Sequence, residues 1–82
     1  MTRTEIENIV RTFFIEELEV EESKLTDDAK LKDDLRIDSL EIVDVAAMLE
    51  QYFGIKVKPD DLRGLVTLND LYGFIEKNQK DK

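Results

Sequence analysis

The chain has 82 residues, with 20 Asp and Glu against 12 Lys and Arg, a formal charge of −8, and no His, Cys or Trp. That length holds one small domain, expected over residues 1–82. The missing His and Cys exclude Ser-His-Asp and Cys-His nucleophile arrangements, ordinary zinc sites and disulfides. A pI near 4.4 argues against nucleic acid or an anionic membrane surface as partner, and for basic partners met through salt-sensitive attraction. Charged residues make up 39% of the chain, but the 41% that are hydrophobic recur periodically, so a folded domain is expected. No apolar stretch approaches a membrane span, and MTRTEIENIV lacks the apolar run of a secretory signal. A cytoplasmic protein is the expectation.

The first helix is predicted from Ile6, Ile9, Val10, Phe13, Phe14 and Leu18, which lie on one helical face. Thr2 with Glu5 and Thr4 with Glu7 both have capping-box spacing, so the start falls at one of two positions. Glu16, Glu17, Glu19, Glu21 and Glu22 gather where it ends, against the helix dipole. Residues 20–37 read as a long connection. Thr26-Asp27-Asp28 forms a turn in it, and Leu25, Leu31, Leu35 and Ile37 are spaced to pin it to a core.

A second helix is predicted from Asp38 as N-cap, with Glu41 three places on, to Phe53, where Gly54 stops it. Ile42, Val45, Ala46, Leu49 and Phe53 share one side at the helical period. Leu40, Asp44, Ala47 and Gln51 share the other, with Glu41 and Met48 beside them. The outer side is therefore partly apolar, which fits either a broad contact with two neighbours or a partner-binding surface. Gly54 to Val57 alternates once, too briefly for a sheet. Pro59-Asp60-Asp61-Leu62 suits the first turn of a short helix limited by Gly64. Thr67 with Asp70 caps a last helix with Leu68, Leu71, Tyr72 and Ile75 inward and Gly73 as its weak point. Residues 78–82 make a polar, frayed tail. The predicted fold is all-α: a small four-helix bundle, three helices longer and one short, with a long loop after the first and a core over about residues 4–77.

Catalytic constellations are hard to build from these residues. The acid pairs Asp27-Asp28, Asp33-Asp34 and Asp60-Asp61 read as solvated surface, no calcium-loop pattern occurs, and the three glycines stand apart from any phosphate loop. No metal site is expected. Ser39, in the first turn of the second helix, reads from Asp38-Ser39-Leu40 alone as an ordinary helix-start serine.

Its surroundings carry more. Asp34-Leu35, Asp38-Ser39-Leu40, Glu41, Val43, Asp44, Leu49-Glu50, Phe53-Gly54-Ile55 and Val57 stand in an order that resembles the acyl carrier protein family around its modification site. Pro59-Asp60-Asp61 and Thr67 with Asp70 resemble the family's third-helix entry and last-helix cap, so the likeness spans about residues 4–77. It departs at Arg36, where the family commonly has Gly, and in the less acidic Glu50-Gln51-Tyr52-Phe53 end of the second helix.

The resemblance implies that Ser39, beside Asp38, receives 4′-phosphopantetheine from coenzyme A through a phosphodiester. A chain without Cys would thereby gain the thiol that thioester chemistry needs. It would hold acyl cargo for successive enzymes and catalyse nothing itself. Asp38 and Glu41 oppose the phosphate charge, so the arm is expected to project outward. Leu40, Ala47 and Met48 would give apolar contact, and Glu41 and Asp44 would meet basic patches on a phosphopantetheinyl transferase and on acyl synthases and transferases. The buried side, around Ala46, is expected to open for an acyl chain. A free-standing monomeric carrier of fatty acid biosynthesis is the leading expectation. Beside it stand a specialised carrier of polyketide, aminoacyl or D-alanyl groups and, from another class, an unmodified acidic adaptor.

Overall fold

The computed structural model describes residues 2–79. Four α-helices follow one another: α1 over Arg3–Glu16, α2 over Ser39–Phe53, α3 over Pro59–Leu62 and α4 over Leu68–Asn78. A single 3₁₀ turn, Glu22–Lys24, interrupts the first connection. Helix α1 packs against α4, and α2 against α3. No strand forms among the described residues. One isolated bridge, Lys30 with Thr67, is the only extended pairing.

The caps decide the boundaries. Of the two capping boxes open to α1, Thr2 with Glu5 is used: the Thr2 hydroxyl accepts from the Glu5 N–H at 3.2 Å and Glu5 accepts from the Thr2 N–H at 2.8 Å. The helix stops at Glu16, so Leu18 lies beyond it and not on its face. Glu19, at φ 57°, then turns the chain so that the Val20 N–H donates to the Phe14 carbonyl at 3.0 Å. Helix α2 ends on Gly54 at φ 69°, with the Ile55 N–H donating to the Leu49 carbonyl at 3.2 Å. At the other end of the chain a correction is needed. Asn78, placed in the tail by the sequence reading, is the last residue of α4, its side-chain amide donating to the Phe74 carbonyl at 2.8 Å. The rest of the predicted tail, beyond Gln79, lies outside the described residues.

The core draws on every segment. Ile6, Val10 and Phe14 of α1, Ile42, Val45, Ala46, Leu49 and Phe53 of α2, and Leu68, Leu71, Tyr72 and Ile75 of α4 are buried, joined by Ile55 and Leu62. Ile9, Phe13 and Leu18 are only partly covered. The long connection contributes Leu25, Ala29, Leu31, Leu35 and Ile37. At ~1.5–3 kcal/mol per large apolar side chain removed from water, those residues hold the connection down against its own entropy.

Its backbone is tied as well. The Leu31 N–H donates to Val66 at 2.9 Å, the Leu68 N–H to Ala29 at 2.9 Å and the Asn69 N–H to Asp27 at 3.0 Å. The Arg11 guanidinium donates to the Leu25 carbonyl at 3.0 Å. The first connection is thus sewn to the link between α3 and α4, and this fixes what stands around the start of α2.

Candidate functional site

Residues 30–35 make one tight turn: the Asp34 and Leu35 N–H groups donate to the Lys30 carbonyl, and the Asp34 carboxylate accepts from the Lys30 N–H at 2.8 Å. Arg36, at φ 57°, ends that turn, and the Ile37 N–H closes back on the Leu31 carbonyl at 2.9 Å. Ile37 then enters the core. Leu35 and Ile37 are both buried while Arg36 points out to solvent. The left-handed conformation explains why a glycine would suit this position and what it costs an arginine to occupy it.

Asp38 follows as the N-cap of α2. Its carboxylate accepts from the Glu41 N–H at 2.9 Å, and Glu41 accepts from the Asp38 N–H at 3.1 Å. Both acids are therefore engaged with backbone donors. Ser39 occupies the first helical position, exposed, with no hydrogen bond from its hydroxyl among the described residues. The N–H groups of Ser39 and Leu40 have no partner among them either, as the start of a helix dictates.

Beside Ser39 opens a pocket of about 330 Å³. Its floor is apolar, made by Leu31 and Ile37 of the connection, Ile42 of α2, and Leu62, Leu65 and Val66 around α3. Lys30, Lys32 and Arg63 stand on its rim with Asp33 and Asp38. Apolar cavities of ~150 Å³ already hold a benzene-sized molecule, so the space is chemically useful. Of α2, Ser39 and Ile42 line it, and Ala46 does not.

The outer face of α2 is brought together in part as predicted. Leu40 is 78% exposed, and Asp44 and Ala47 are exposed with it, while Glu41 is half-buried. Met48 is the correction: it is only 2% exposed and belongs to the core. Helix α1 covers that flank, Phe13 and Glu17 sharing a crevice with Met48 and Tyr52. Val43, 50% exposed, takes its place on the outer stripe. Its position three residues after Leu40 was the available signal. The pocket had no such signal, because its walls come from segments far apart in the chain.

A free hydroxyl on a helix start, an apolar pocket beside it and an acidic-apolar stripe running from it fit a residue that bears a group on a long arm. Among the described residues no helix is long and apolar enough to cross a membrane.

Comparison with known proteins bears on the family of the chain as a whole. A family model described as the phosphopantetheine attachment site matches residues 8–75. An acyl carrier protein of Thermotoga maritima is 43% identical over 76 residues, covering 93% of this chain and 94% of that protein. One of Akkermansia muciniphila is 37% identical over 79 residues, covering 96% and 99%. A meromycolate extension acyl carrier protein of Mycobacterium bovis is 37% identical over 62 residues, covering 76% of this chain and 54% of that protein.

Proposed function

The chain belongs to the acyl carrier protein family, whose phosphopantetheine-attachment domain carries 4′-phosphopantetheine, and from that premise we propose that Ser39 is the residue that bears the arm. The observation that carries this reading is the Ser39 hydroxyl: exposed, without a hydrogen bond among the described residues, and at the mouth of the pocket. The arm supplies the thiol on which an acyl group rides as a thioester. Every other part of the function falls to the protein's own residues.

Ile37 and the Asp38–Glu41 cap fix where Ser39 stands. The reciprocal bonds of that cap draw the two nearest carboxylates toward the backbone. Leu40, Val43 and Ala47 offer apolar area small enough to release quickly, and Glu41 and Asp44 attract Lys or Arg on an enzyme. The partners are a phosphopantetheinyl transferase and the synthases and transferases of fatty acid biosynthesis. The apolar floor of the pocket shelters acyl cargo between visits. The assignment of fatty acid biosynthesis rests on whole-length relatives called simply acyl carrier proteins. The name of the meromycolate-extension relative, which this chain matches over a smaller share, keeps a specialised long-chain cargo as the second reading.

Intact mass tests the central point. Incubated with coenzyme A and a broad-specificity phosphopantetheinyl transferase, the protein gains one phosphopantetheine, and Ser39→Ala gains none. A wild-type protein that stays unmodified sinks the reading.

A further inference from the structure

The charge of the molecule changes sign across Ser39. On one side runs α2, which carries Glu41, Asp44 and Glu50 and no Lys or Arg. On the other lies the pocket rim, where Lys30, Lys32 and Arg63 outnumber Asp33 and Asp38 in a chain whose formal charge is −8. The acids on that side are partly spent: the Asp38 carboxylate accepts from the Glu41 N–H. Arg63 is held by Asp60 at 3.0 Å. The ammonium groups of Lys30 and Lys32, both exposed, make no ion pair among the described residues. The sewn connection holds both at the pocket, through the Leu31–Val66 bond and the Lys30–Thr67 bridge.

A phosphodiester placed on Ser39 is an anion set on this boundary. Toward α2 it meets carboxylates; toward the pocket it meets uncommitted ammonium groups. Once the phosphate leans that way, the rest of the arm, a chain of amides and methylenes without charge, lies over an apolar floor.

Resting on the reading that Ser39 bears the arm, we infer that Lys30 and Lys32 hold its phosphodiester on the loop side and fold the resting arm back across the pocket. This reverses the outward projection expected from Asp38 and Glu41. It also separates two tasks in space: cargo rests on the cationic side of Ser39, while enzymes dock on the acidic side.

The test uses the full chain loaded from coenzyme A, with loading verified by mass. Backbone amide spectra of the unmodified and modified protein are compared from about 0.01 M to about 1 M salt, over which the Debye length falls from ~30 to ~3 Å. At low salt, loading is expected to shift the amides of Leu31, Leu62, Leu65 and Val66, and high salt is expected to reverse those shifts. The double variant Lys30→Gln, Lys32→Gln should still load, keep its core resonances and lose the shifts at the pocket. Shifts confined to residues 37–41 in the wild type would overturn the inference, as would pocket shifts that survive in the double variant or at high salt. Failure of Ser39 to load at all is a different result and removes the carrier reading itself.

Discussion

Leu40 and Met48 stand on the same helix and have the same apolar character, yet their neighbours give them opposite work. Leu40 is 78% exposed, so truncating it removes little from the core. Leu40→Ala is expected to change stability by no more than about 0.5 kcal/mol and to slow loading by a transferase severalfold. Met48 is 2% exposed beneath α1. Met48→Ala is expected to cost about 2–5 kcal/mol while leaving the loading rate of the folded fraction near wild type. Urea unfolding and initial loading rates separate the two; a docking defect in Met48→Ala without lost stability would put that residue back on the partner face. The helical period alone could not divide them, since it fixes an angle around the axis and not where the next helix lies. Arg36 was legible in the opposite sense. The sequence showed its departure from the expected glycine, and the φ of 57° is the backbone reason a glycine suits that position.

At the scale of elements, the helices were readable because each carries its own start signal. Asp38 with Glu41 and Thr67 with Asp70 both form reciprocal caps where their spacing placed them. The connection between α1 and α2 was readable only as a set of buried leucines. That Leu31 bonds to Val66 and Leu68 to Ala29 depends on segments far apart in the chain, which local pattern does not relate. The pocket beside Ser39 was lost for the same reason. Gly73, by contrast, shows a local weakness that the fold does not compensate. It lies inside α4, exposed, and an added Cβ would meet no atom within 4 Å. Gly73→Ala is therefore expected to stabilise the protein by about 0.5–1 kcal/mol through backbone entropy alone. Thermal unfolding checks this as a rise in Tm of a few degrees, and an unchanged or lower Tm would mean that α4 needs its glycine.

For the whole molecule the deciding quantity is charge against size. The described part extends 34 × 25 × 20 Å. At 0.01 M ionic strength the Debye length is ~30 Å, so nearly every carboxylate feels every other; at 0.15 M it is ~8 Å, and only neighbours interact. Four ion pairs among the described residues engage Glu7, Glu76, Glu22 and Asp60, and most of the other acids among those residues have no ion pair. Exposed pairs of this kind contribute only ~0–1 kcal/mol each, so screening removes more repulsion than attraction. Raising NaCl over that range at pH 7 is expected to raise Tm. The effect should shrink as the pH approaches 4.4, where the net charge vanishes.

Below that pH a second influence takes over with the opposite sign. The Thr2 N–H holds the Glu5 carboxyl below its ordinary 4.5, and the Thr67 and Val66 N–H groups hold Asp70 below its ordinary 3.8. Depressed folded values mean that these caps add stability above the ordinary values and lose it as the pH falls through the folded ones. At low salt Tm should therefore rise from pH 7 toward the isoelectric region and fall again in stronger acid. Asp70→Asn should flatten the acid limb and leave the neutral one in place. A Tm at pH 7 that ignores salt would show that the acids are spaced too widely to repel.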